Sequence, residues 1–189
     1  MHGWLPVFLR ELKIMRRRFW RMLASMAVSP LLYLIAFGYA LGGDQGDGQA
    51  YLAFLVPGLV AMSSMTQAWG IATDINVARF YWHVFEEFQA APISNPAYVL
   101  GEVLAGVARA LLGVLVILGL GLAVGVEVDL GPCFWLAVGL NSFTFASLAV
   151  AMAMLVKSHA DQGMLSSFII TPMAFLGGKI GRASCRGRV

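Results

Sequence analysis

The stretch PCFWLAVGLNSFTFASLAVAMAMLV, Pro132–Val156, runs for 25 residues without an Asp, Glu, Lys or Arg. A helix rises about 1.5 Å per residue, and roughly 20 apolar residues cover the ~30 Å hydrocarbon core of a bilayer. Such a run is long enough to cross a membrane and too long for an ordinary buried core helix. Three similar stretches lie outward from it. Met22–Leu41 and Tyr51–Thr73 are charge-free, and Val103–Val126 holds only Arg109. Gln162–Gly178 is a shorter fifth run of 17 residues, marginal for a full crossing. Backbone amides have no water to satisfy them in lipid, so the spans must be helices. The short alternating strands of a membrane barrel are not seen. The expected fold is an all-α polytopic helix bundle with spans at about 22–41, 51–73, 103–126, 132–156 and 162–178.

Composition agrees. Of 189 residues, 59% are hydrophobic and 12% charged, with mean hydropathy +0.77. Soluble domains carry about 25% charged residues, so a free cytosolic enzyme and a disordered chain are both excluded. Cys133 and Cys185 form neither a disulfide framework nor a metal spacing. A cleaved signal peptide does not fit the start, because the first apolar run is too long and further spans follow.

Lys and Arg set the orientation. Arg10, Lys13, Arg16, Arg17, Arg18 and Arg21 precede the first span. The first and third connections have no Lys or Arg but hold Asp44, Asp47, Glu127 and Asp129, whereas the second carries Arg79 and the fourth Lys157. The N-terminus is therefore expected on the cytoplasmic side, with the chain multi-pass in a bacterial inner membrane.

The last 11 residues, 179–189, hold four of the 13 basic residues. After a fifth span they would lie outside, where the other loops have none. The reading frame is therefore expected to end near Gly178, with a non-native or out-of-frame tail beyond it. A genuine basic tail after an incompletely crossing fifth segment is the alternative. Without the tail, nine basic residues face ten acidic ones, and the excess positive charge, read at first sight as a hint of nucleic acid, vanishes. No nucleic-acid partner is expected.

Two segments are amphipathic. Along Trp4–Trp20, Leu5, Phe8, Leu9, Leu12, Met15 and Phe19 share a stripe, with Arg10, Lys13, Arg16 and Arg17 largely off it. This pattern predicts an interfacial helix whose cations meet lipid phosphates. In Asp74–Ala91, a helical wheel groups Arg79, His83, Glu86 and Glu87 opposite Val77, Tyr81, Val84, Phe85 and Phe88. Pro92 stops that helix and Ser94-Asn95-Pro96 turns the chain. A short cytoplasmic helix of this kind suits docking to a partner or lying at the interface.

Catalytic signatures are missing. There is no phosphate-binding G-x-x-x-x-G-K-[ST], no H-E-x-x-H and no G-x-S-x-G. No carboxylate lies deep in a span, which argues against proton coupling. Glu102 and Arg109 stand at the membrane entrance of the third span. Seven residues put them about 10 Å apart along a helix, so each is expected to pair with another helix rather than with its neighbour. Asn141, Ser142, Thr144 and Ser147 make a polar patch suited to bonding between helices.

Phe85-Glu86-Glu87-Phe88-Gln89-Ala90-Ala91-Pro92-Ile93-Ser94, then Val99-Leu100-Gly101-Glu102-Val103-Leu104 and Arg109-Ala110-Leu111-Leu112, resemble the corresponding segments of ABC-2-type ABC exporter permeases. The likeness is to the branch with drug-resistance and lipo-oligosaccharide exporters. Pro57-Gly58 and Pro172-Met173-Ala174-Phe175-Leu176-Gly177-Gly178 also fit, so the resemblance covers about residues 5–178. It implies six spans, of which about five are present, a separate cytoplasmic ABC ATPase and a second permease half, identical or not. It also implies an interfacial helix before span one and an ATPase-coupling helix carrying Arg79, His83, Glu86 and Glu87. ATP would be used by the partner, with no cofactor on this chain. The substrate would be an amphipathic drug, a lipid-linked oligosaccharide or a polysaccharide. The family's continuation and sixth span do not follow Gly178. A non-transporting assembly factor or a membrane-embedded enzyme stays open as the alternative.

Overall fold

The computed structural model describes residues 3–41, 48–82, 87, 90, 93–125, 130–156 and 158–180. The described residues are helical, with no strand. In chain order they are α1 (Trp4–Arg17), α2 (Phe19–Leu41), α3 (Gly48–Trp69) and α4 (Ile71–Asn76), which continues into a π turn, Val77–Tyr81. Then come α5 (Asn95–Ala123), α6 (Pro132–Leu155) and α7 (His159–Ile180). Among the described residues, Phe19–Ala36, Asn95–Ala123 and Pro132–Leu155 are long and apolar enough to cross a membrane. The helices α3 and α7, each 22 residues long, match the positions of the other two expected spans. The polytopic all-α fold is as expected.

Each boundary has a local cause. Between α1 and α2 the chain bends at Arg18, whose amide is shared by the carbonyls of Ile14 and Met15, each at 3.2 Å. Pro96 is the second residue of α5 and Pro132 the first of α6, both in the first turn, where a missing N–H costs nothing. Pro30, Pro57 and Pro172 lie inside α2, α3 and α7, as membrane helices tolerate. The expected second span ran on to Thr73, but α3 ends at Trp69. The Gly70 amide is shared by the carbonyls of Thr66 and Gln67, and α4 starts beyond it.

The helix α5 is the central post, packed against α3, α6, α1 and α2. Two apolar clusters lie along it. One is built mainly of small residues and includes Ala68, Ala72, Ala105, Ala110, Ala146, Ala149 and Ala153, with Trp69, Ile71 and Ile75. The other holds larger side chains, among them Leu34, Val56, Val60, Val114, Ile117 and Val138. Between membrane helices, lipid is as apolar as the core, so close packing of small residues sets the contact. A methyl at Gly106 would stand 2.9 Å from Ala146 Cβ, and one at Gly113 would stand 2.8 Å from Gln67 Cγ. Glycine at these positions permits the approach of α6 and α3.

On α1, Val7, Glu11 and Met15 are buried, one turn apart, and they face α5. Val7 fits over Gly101, where a Cβ would meet Val7 Cβ at 2.8 Å and the Trp4 carbonyl at 2.9 Å. Leu5, Leu9 and Leu12 instead stay exposed beside the basic residues. The helix thus has a packed face and a separate apolar edge, where the sequence pattern indicated one stripe.

Candidate functional site

The charged residues gather where α1, α4 and α5 meet. Arg109 of α5 donates through Nη1 to Asp74 Oδ2 of α4. This is the inter-helix partner expected for Arg109. Its guanidinium lies against Gly70, where a methyl would stand 3.1 Å from Cζ. The Arg109 Nε is buried and has no hydrogen-bond partner among the described residues.

Beside this pair, Arg10 Nη1 meets Glu11 Oε1 at 3.0 Å. Burial lifts the Glu11 carboxyl above its ordinary range, and Arg10 pulls the other way. Glu102 is only 1% exposed. It bonds to Tyr98, one turn earlier on its own helix, while its Oε2 has no partner among the described residues. Its electrostatic neighbours are Glu11, Arg10 and Asp74, carried by α1 and α4. Glu102 and Arg109, placed together at the membrane entrance by the sequence, therefore belong to one cluster without pairing with each other.

A second set of polar contacts ties α3, α4 and the π turn to α6 and α7. Arg79 Nη1 donates to the carbonyls of Ala153, Met154 and Val156 at 3.3, 3.2 and 3.5 Å. These are end-of-helix carbonyls of α6, which lack intrahelical partners and attract a cation. Asn76 Nδ2 donates to Gln162 Oε1 at 2.8 Å with both side chains buried, and Trp69 Nε1 donates to Ser166 Oγ at 2.8 Å. Of the polar patch on α6, Asn141 reaches across to Ser64 Oγ of α3 at 2.8 Å. Ser142 and Thr144 bond back to their own helix, at Val138 and Leu140.

The other expected site residues are dispersed. Lys13, Arg16 and Arg17 are exposed on α1. Glu87 is exposed, and His83 and Glu86 lie outside the described residues, as do residues 181–189 of the tail. The wheel drawn through Asp74–Ala91 does not hold at its start. Residues 74–76 complete the packed helix α4, and Val77–Tyr81 forms a π turn with Trp82 N bonded to Val77 O at 3.1 Å. The wider turn shifts the faces: Tyr81 is 84% exposed instead of sharing a packed face with Val77.

Glu11, Asp74, Asn76, Tyr98 and Gln162 were not singled out from sequence. Glu11 is a single acid within the basic run 10–21, and Asp74 follows the charge-free run 51–73 with Arg79 as its nearest charge. Asn76 and Gln162 lie 86 positions apart, with no local sign of their bond. Among the described residues no group of His, Cys, Asp and Glu could hold a metal.

The sequence model of ABC-2 type transporters matches residues 5–181. The chain belongs to the ABC-2 type transporter family. Among curated proteins, the inner membrane transport permease YadH of Escherichia coli K12 is 30% identical over 180 residues, covering 85% of this chain. Nodulation protein J of Rhizobium meliloti is 29% identical over 188 residues, covering 94% of this chain, and that of Bradyrhizobium diazoefficiens is 28% identical over 190. The chain spans 66% of the length of YadH and 70% of each nodulation protein. No solved structure matches it.

Proposed function

We propose that this chain is a membrane-spanning permease subunit of an ATP-driven exporter. It would line the path of an amphipathic drug, a lipid-linked oligosaccharide or a polysaccharide together with a second permease half. ATP is bound and hydrolysed by separate ABC ATPase subunits, and this chain holds no cofactor. The N-terminus faces the cytoplasm of a bacterial inner membrane, and α1 lies in the interface with Arg10, Lys13, Arg16 and Arg17 near lipid phosphates.

Family membership carries the transport reading. Support for the coupling role comes from the segment after α4. It exposes Tyr81 and Trp82, the amphipathic aromatic types favoured where proteins dock. Through Arg79 the same segment grips the end of α6. A push on Tyr81 and Trp82 by an ATPase would reach α6 through Arg79, and α7 through the Asn76–Gln162 bond. Charges at His83, Glu86 and Glu87 would complete the docking face.

Replacing residues 79–88 with a Gly/Ser segment of equal length tests this directly. The ATPase is expected to stop co-purifying while the chain still inserts in the membrane. Undiminished co-purification would contradict the coupling role.

A further inference from the structure

Beside the Arg109–Asp74 pair, α1, the first turn of α2, α4 and α5 line an open cavity of about 110 Å³. Its wall combines Arg18, Glu11, Asp74 and Arg109 with the apolar Ile14, Met15, Met22 and Ile71. One water requires only about 10–15 Å³, so the space admits a group of several heavy atoms.

The wall carries two acids, Glu11 and Asp74, and two cations, Arg18 and Arg109, and they are not all paired with one another. Asp74 is taken by Arg109 and Glu11 by Arg10. Arg18, exposed at the rim, has no ion pair among the described residues and is the one charged side chain of the wall left without a counter-charge. Arg109 adds a buried, unpartnered Nε donor. The depth of the cavity also matters. It opens at the bend where α1, with exposed leucines and cations, gives way to the apolar α2, and Trp20 beside the bend is 80% exposed. Trp and basic residues at such a junction mark headgroup level.

We propose that this cavity binds the phosphodiester headgroup of one membrane phospholipid, with Arg18 as the principal anion contact and Arg109 as a second donor. A monoanionic phosphodiester would supply the counter-charge that Arg18 lacks. The acyl chains would leave past Ile14 and Met22 towards the exposed apolar edge of α1. A bound lipid would then bridge α1 to the Asp74-bearing helix, next to the coupling segment.

The inference rests on the interfacial placement of α1 proposed above, and quenching of Trp20 fluorescence by brominated lipid tests that placement separately. For the site itself, the full chain in a phosphorus-free detergent is titrated with dihexanoyl phosphatidylglycerol, and adducts are counted by native mass spectrometry. A saturable one-to-one adduct is expected. Arg18→Gln removes a charge-assisted hydrogen bond to the phosphate and should weaken binding about tenfold or more. Ile14→Trp, which narrows the cavity from its exposed rim, should do the same, and Arg17→Gln on the open face of α1 should change it less than about twofold. Equal losses for Arg17→Gln and Arg18→Gln would replace the site with a diffuse basic surface and overturn the proposal. So would competition by inorganic phosphate as effective as that of the lipid, or the absence of any saturable adduct.

Discussion

At Gly101 a single hydrogen decides whether α1 can lie on α5. A methyl there would meet both the Val7 side chain and the Trp4 backbone carbonyl, and the carbonyl cannot rotate away. Overpacking of this kind costs about 1–3 kcal/mol, so Gly101→Ala should lower the thermal midpoint in detergent. Gly119 has nothing within 4 Å of its Cβ position. There, alanine should be neutral or stabilise by up to about 1 kcal/mol, through helix propensity. The Arg109–Asp74 pair lies between two regimes, with the arginine side chain 21% exposed and the aspartate 46%. Exposed pairs contribute about 0–1 kcal/mol, and breaking one side of a buried pair costs about 3–5 kcal/mol. Asp74→Asn should therefore cost about 1–3 kcal/mol, and adding Arg109→Gln should cost less than the sum of the two single changes. Glu11 gives a pH signature. Its folded-state carboxyl titrates above the ordinary 4.5 because burial penalises the charge. The folded state thus holds the proton more tightly, and Glu11's contribution is fully present below the unfolded value and lost as pH rises through the folded one. Thermal midpoints measured across that window should show the wild type losing ground to Glu11→Gln as pH rises. A difference independent of pH would contradict the burial of Glu11 against Asp74 and Arg109.

Among the elements, the segment after α4 carries the coupling argument, and Arg79 is its fixed point. Removing the side chain by Arg79→Ala leaves three end-of-helix carbonyls of α6 without their cation. A loss of about 0.5–1.5 kcal/mol should speed hydrogen exchange at the Val156 amide, which bonds Met152 O, by roughly two- to tenfold. Arg79→Lys should recover part of the protection. The long helices were legible in the sequence because charge exclusion acts on each one independently: a break in charge marks where water begins. Their packing faces were not. The stripe Val7–Glu11–Met15 contains a carboxylate that any polarity pattern sends to solvent, and it is buried because Gly101 lets α1 approach α5. The π turn was equally hidden, since a wheel at fixed pitch cannot register an extra residue, and Tyr81 moved to the open side as a result. Glu102 and Arg109 were recognisable as membrane-edge charges needing partners from other helices. Asp74 as the answer for Arg109 depends on the break at Gly70, which sets α4 against α5.

For the whole molecule, the expected order of spans and the observed order of helices coincide, and the family match runs over the same residues, 5–181. The distribution of Lys and Arg then predicts which ends face the cytoplasm. The α1–α4–α5 charge cluster and the Tyr81–Trp82 face should lie on that side, and Cys133 at the start of α6 on the other. Cys133 is exposed, so in a chain carrying Cys185→Ser a membrane-impermeant maleimide should label it in intact cells. The central claim, a permease driven from the cytoplasm by a separate ATPase, meets its most direct test at Tyr81. Tyr81→Cys, with Cys133 and Cys185 replaced by Ser, would be fitted with a short crosslinker in membrane vesicles made from cells producing the chain with its ABC ATPase. The prediction is crosslinking to the ATPase in inside-out vesicles, with a yield that changes on adding ATP, and labelling that is absent in right-side-out vesicles. Labelling of Tyr81→Cys from the outside, or an accessible cysteine that never captures the ATPase, would contradict the account.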